Sequence, residues 1–157
     1  MEEKNKKKVM LPPISQVGIV VKDVAKTAEY YSSVLGIGPF DMQDFELRGV
    51  VFHGEPVTAK LRIGMAQMGP LQIELIQPLE GGEYYAEFIR QKGEGLHHLG
   101  IEIDDFDTYD KVLAELTNQG VGVSLSRRGR RQAFAYLDTE TVGGVILELI
   151  HMEKQNS

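Results

Sequence analysis

The chain of 157 residues contains no cysteine. That absence excludes disulfides, thiolate nucleophiles and cysteine-based zinc or iron–sulfur sites. Histidine is scarce, at four residues, so each one has to be placed. No apolar run approaches the roughly 18 residues that span a bilayer, so no membrane partner is expected. A basic footprint is also missing: the formal net charge is −6, which argues against a nucleic-acid partner. The opening MEEKNKKKVMLPP is charged but has no apolar h-region, so it does not read as a secretory signal. Residues 1–12 and 153–157 are expected to be flexible tails, and the cytoplasm is the expected location. The chain as a whole, 42% apolar and 25% charged, reads as one soluble globular domain, or two small halves sharing a core.

What is present is an internal echo. The stretch ISQVGIVVKDV, from Ile14, aligns without gaps on LHHLGIEIDDF, from Leu96, at an offset of 82 residues. Each copy is followed by a helical pattern. The first, VAKTAEYYSSVLGIG, follows Asp23 as N-cap, and the second, FDTYDKVLAELTNQG, stops at Gly120. The run GIGPF, Gly36 to Phe40, reads as a helix stop and turn. Each half then closes on a matching strand, LQIELIQ and VILELIH, with Glu74 equivalent to Glu148. The strand-like runs between are GVVFHG and TAKLRIGMAQM in the first half, VGVSLS and RQAFAYLDT in the second. The fold class expected is α+β, with two paired β-α-β-β-β modules forming a curved, cup-shaped mixed sheet around a metal site. The modules span residues 13–80 and 96–152, joined by a linker helix in 81–95.

Strand periodicity assigns faces. Ile73 and Leu75 face a helix, leaving Glu74 on the other side, and Glu148 stands likewise between Leu147 and Leu149. His98 shares a face with Gly100 and Glu102, whereas His97 points the other way, into packing or a supporting hydrogen bond. If the halves pack with two-fold pseudosymmetry, Gln16, Glu74, His98 and Glu148 occupy equivalent inward positions. Four converging polar side chains are costly unless something satisfies them, and a divalent metal does so economically. One imidazole, two carboxylates and an amide oxygen suit six-coordination with two open positions. One ion of Co, Ni, Zn or Mn is expected. A Lewis acid there can acidify the carbon beside a carbonyl, and Glu148 or Glu74 can shuttle the proton.

The motifs GLHHLGIEIDDFD, IELIQPLEG and GGVILELI resemble the vicinal oxygen chelate superfamily, and within it the methylmalonyl-CoA epimerases. The resemblance runs from about Ile14 to His151. It implies metal ligands at Gln16, Glu74, His98 and Glu148 and an acyl-CoA thioester substrate. Such epimerases carry histidine at the position of Gln16. The set Gln, Glu, His, Glu resembles instead that of animal-type glyoxalase I, whose asparagine and arginine signals are Pro78 and Val20 here. A second glutamate that some epimerases carry on the strand before IELI is missing from TAKLRIGMAQM, which offers Lys60 and Arg62. A glyoxalase-type lyase and a metal-free binding protein of the same fold therefore stand as alternatives.

Lys60, Arg62, Arg130 and Arg131 are the candidate substrate-binding cations. The run SRRGRRQ, Ser126 to Gln132, reads either as a solvated hairpin or as a grip on phosphate or carboxylate. His53 is unremarkable, and His151 could lie at the cavity rim. A homodimer is expected.

Overall fold

The computed structural model describes residues 7–155. Eight strands and three helices follow in the order β1 (Gln16–Val20), α1 (Val24–Leu35), β2 (Asp41–Phe52), β3 (Glu55–Met68), β4 (Leu71–Glu80), α2 (Glu83–Lys92), β5 (Gly95–Glu102), α3 (Phe106–Asn118), β6 (Val123–Arg128), β7 (Gln132–Leu137) and β8 (Ile146–Met152). Each half is β-α-β-β-β. The strands close into a barrel in the order β1-β4-β3-β2-β6-β7-β8-β5. The two half-sheets join along the full length of β1 and β5, and only at Val51–Phe52 against Leu125–Ser126 on the far side. No helix of the described residues is long and apolar enough to cross a membrane.

The helices start and stop where local chemistry dictates. Asp23 caps α1 by accepting from the Lys26 amide at 3.1 Å, and Asp105 caps α3 by accepting from the Thr108 amide at 2.7 Å. Gly36 ends α1 at φ 68°, a conformation that a side chain would resist. α1 covers the outer face of β1 and β4 through Val24 and Ala28 on Ile73 and Leu75. α3 covers β5, β7 and β8 through Tyr109 beside Ile101, Ala135 and Leu149. The barrel interior holds a third cluster, including Val20, Leu61, Ile76, Leu125 and Phe134, into which α2 inserts Tyr84 and Tyr85. The linker helix is thus a plug for one end of the barrel.

Two expectations change. β2 begins at Asp41, well before the run GVVFHG, because its first half is a polar arm paired on one edge only with β3. Asp44 and Glu46 alternate there with Phe45 and Leu47, which line the barrel cavity. The N-terminal tail, where described, is held against the body: the Lys7 carbonyl accepts from Gln119 Nε2 at 2.6 Å, and Leu11 packs on the α3 cluster. Residues 1–6 and 156–157 of the expected tails lie outside the described residues.

Leu149, fully buried between β8 and α3, is a direct test of this layering. Leu149→Ala is expected to lower the unfolding free energy by about 2–5 kcal/mol in urea titration. A loss below about 0.5 kcal/mol would contradict the packing described.

Candidate metal centre

β1 is central to the site because it pairs with β4 in parallel and with β5 antiparallel. Its register puts Gly18 level with Glu74 on one side and His98 on the other. One step along, Gln16 lies level with Gly100, which in turn lies level with Glu148 on β8. The two rows exchange under the pseudo-two-fold axis: Gln16 with His98, Gly18 with Gly100, Glu74 with Glu148. All four polar side chains are buried, His98 completely.

The four side chains lie close together. His98 Nε2 lies 2.9 Å from Glu148 Oε2, 3.3 Å from Glu74 Oε2 and 3.2 Å from Gln16 Oε1. Gln16 Nε2 donates to Gln72 Oε1 at 2.8 Å, which aims the amide oxygen at His98. Donor atoms of Glu74, His98 and Glu148 all lie within 4.8 Å of one another, so this buried group can hold a metal ion.

The repeated glycines make the convergence possible. A Cβ at Gly18 would come within 2.0 Å of His98 Cε1, inside the ring's own volume. A Cβ at Gly100 would come within 2.9 Å of Gln16 Cβ. Each half therefore empties its own strand where the other half's ligand must lie.

His97 is placed by a bulge. Register on β1 passes from Gly18↔His98 to Ile19↔Leu96, leaving His97 as the extra residue on β5. Strict alternation across the pair of histidines is broken there. The His97 ring turns under α2 against Phe88 and Tyr85, and its Nδ1 sits 3.0 Å from Nδ1 of His98. Burial, then the neighbouring His98 charge, pushes His97 down to about 3, so it is neutral and accepts the Nδ1–H of His98. That bond orients the His98 ring with Nε2 toward the carboxylates.

Electrostatics decide what the group needs. Burial works against charge on His98, but Glu148 and then Glu74 outweigh it and hold the imidazole at about 10. Burial pushes the Glu148 carboxyl upward, opposed by His98 and reinforced by Glu74. Two buried carboxyl groups share a single imidazole, and Glu148 Oε2, although 2.9 Å from His98 Nε2, is in no hydrogen bond of acceptable geometry. One N–H cannot serve three oxygens. A divalent cation ligated by Gln16, Glu74, His98 and Glu148 satisfies all of them, and these donor types suit six-coordination.

The site opens into a cavity of about 120 Å³ inside the barrel, walled by Phe45, Leu47, Leu61, Ile63 and Phe134. Lys60 and Arg62 do not line it. They alternate on β3 with Leu61 and Ile63, which take the inward face. Arg62 instead forks onto Asp44 at 2.7 and 2.9 Å, and Lys60 pairs with Glu80 at 3.4 Å. Arg130 is exposed in the β6–β7 turn; Arg131 pairs with Glu153 at 3.2 Å, one residue from the lining residue Gln132. Arg128 stacks on Phe106 and binds Asp110, so that half of the basic run is structural. His151 is not at the rim: it faces α3, with Nδ1 at 2.7 Å from the Ile103 carbonyl.

Strand alternation puts Gln72 on the face of Glu74, but neither its bond to Gln16 nor the hydroxyls of Tyr85 and Tyr136, which meet at 2.5 Å beside the centre, can be read from the sequence. Gly18 and Gly100 were visible as the repeated Gly-Ile step, whose steric meaning needs the register.

Gly18→Ala is expected to abolish stoichiometric metal binding, read by elemental analysis after loading, because the His98 ring must leave its place. Full loading would contradict the cradle. The His98 imidazole must lose its proton to ligate, so binding below about pH 10 expels that proton. Apparent affinity for the cation is therefore expected to rise about tenfold per pH unit between about pH 7 and 9. A flat profile would contradict that protonation state.

Residues 15–136 match the model of the glyoxalase/bleomycin resistance protein/dioxygenase superfamily. The chain is 26% identical over 137 residues to human mitochondrial methylmalonyl-CoA epimerase, covering 87% of this chain and 72% of that protein. It is 23% identical to an uncharacterised protein of Bacillus subtilis, YqjC, covering 87% and 89%. Among solved structures, a Streptomyces coelicolor methylmalonyl-CoA epimerase variant in complex with 2-nitronate-propionyl-CoA superposes with a TM-score of 0.71 at 24% identity, covering 94% of this chain and 99% of that one. The Mycobacterium tuberculosis methylmalonyl-CoA epimerase gives 0.66 at 22%, covering 99% and 95%. The matched span takes in most of the chain, and on it the chain belongs to the glyoxalase/bleomycin resistance protein/dioxygenase superfamily.

Proposed function

We propose that the protein is a metal-dependent isomerase that removes the α-proton of an acyl-CoA thioester, in the manner of a methylmalonyl-CoA epimerase. The observation that carries this reading is Glu148 Oε2: buried, in no hydrogen bond although 2.9 Å from His98 Nε2, and beside a small cavity. When bound at Gln16, Glu74, His98 and Glu148, a divalent cation supplies Lewis acidity that makes the carbon beside a carbonyl acidic. Glu148 takes the proton, and burial raises its basicity toward the range where a carboxylate is an effective base. Glu74, on the matching position of β4, is the second carboxylate available to return a proton. The cavity admits a short acyl group and no nucleotide, so a CoA tail would run outside it, with Arg130 and Arg131 near the lip to meet its phosphates. The relatives named as methylmalonyl-CoA epimerases support the substrate class.

A glyoxalase-type lyase is the second reading, favoured by one observation. The wall formed by Phe45, Leu47, Leu61 and Ile63 holds no carboxylate, which suits a reaction in which one base moves a proton between neighbouring carbons.

Metal-loaded protein is expected to exchange the α-proton of methylmalonyl-CoA with deuterated solvent, and Glu148→Gln to slow this at least about 100-fold. Conversion of the methylglyoxal–glutathione hemithioacetal without exchange on the thioester would assign the lyase reaction instead.

A further inference from the structure

The hydroxyls of Tyr85, from the linker helix, and Tyr136, from β7, form a pair in the cavity at 2.5 Å. Their position is set by the site: Tyr136 lies level with Glu148 across β7 and β8, and its ring centroid is 5.0 Å from that of His98. Two phenols carry two hydrogens, and a single bond between them uses one. Whichever donates, the other's hydrogen has no acceptor among the described residues. It does not go to Glu148 Oε2, which has no hydrogen-bonding partner. A phenol keeps its proton at neutral pH, so both hydroxyls are available as donors. No other lining residue offers an O–H, and no lysine or arginine lines the cavity.

We infer that the Tyr85–Tyr136 pair donates its free hydrogen to an oxygen of the acyl group bound in the cavity, as a second polar anchor beside the metal centre. The inference rests on the reading of the cavity as an acyl site. With no lysine or arginine lining the cavity to meet it, the oxygen served by the pair is a neutral carbonyl, or one gaining charge during proton removal, and not a free carboxylate. A donor held ready in a water-poor pocket favours such charge more than water does. The pair thus selects acyl groups whose oxygen reaches the α2 end of the barrel.

The test is binding to the metal-loaded protein of two probes: methylmalonyl-CoA, and acetohydroxamate, which offers neighbouring oxygens without a CoA tail. The double variant Tyr85→Phe, Tyr136→Phe is expected to bind acetohydroxamate about tenfold more weakly, with metal content and melting temperature retained. In the wild-type protein, tyrosine Cζ resonances, assigned through the single variants, are expected to shift on adding acetohydroxamate, a readout that does not depend on the double variant folding. Weaker acetohydroxamate binding in the variant, together with no binding of methylmalonyl-CoA by the wild type, would reject the thioester while upholding the pair. Equal acetohydroxamate affinity in variant and wild type, or unmoved Cζ resonances, would overturn the inference. So would a loss of affinity explained by loss of the metal.

Discussion

The structure turns on a charge imbalance. Glu74 and Glu148 are both buried within 3.3 Å of a single imidazole nitrogen, and a third oxygen, from Gln16, faces the same atom. Buried charges of one sign are costly unless compensated, and His98 compensates only one of them. The rest of the fold holds these groups together against that cost. The parallel pairings of β1 with β4 and of β5 with β8 present the carboxylates, the antiparallel seam of β1 and β5 presents the amide and the imidazole, and α1 and α3 seal the outer faces.

Duplication gives this arrangement its economy. One module supplies a polar ligand, a glycine two residues on, and a strand glutamate; the second supplies the same set. Packed face to face, each glycine makes room for the other module's ligand. Neither half could form the centre alone, since each contributes only two of the four donors. The half-sheets meet along a long seam at the candidate metal centre and only briefly on the far side, where β2 leaves as a one-edged arm. Shape and chemistry are concentrated on the same seam.

Much of this was legible in the sequence because it depends on local period and on an offset. The 82-residue echo registers Gln16 against His98, and alternation puts Glu74 and Glu148 inward. What was not legible depends on pairing details. The bulge at His97 changes which neighbours that ring touches without leaving a mark in the composition. Lys60 and Arg62 looked like candidates because strand phase across β3 was not anchored by a glutamate or a helix contact. Tyr85 sits in a linker that reads as a polar helix, and nothing in its spacing says that this helix plugs the barrel. The first half of β2 is paired with β3 alone, and its two inward apolar residues, Phe45 and Leu47, are too few to mark it as a strand.

Anomalous diffraction from a cobalt-loaded crystal reaches the central claim most directly. One cobalt per chain is expected, bonded to His98 Nε2 and to oxygens of Gln16, Glu74 and Glu148 at about 2.0–2.3 Å, with two coordination positions left to solvent. A barrel with no cobalt between these four side chains, or with the ion bound elsewhere on the surface, would contradict it.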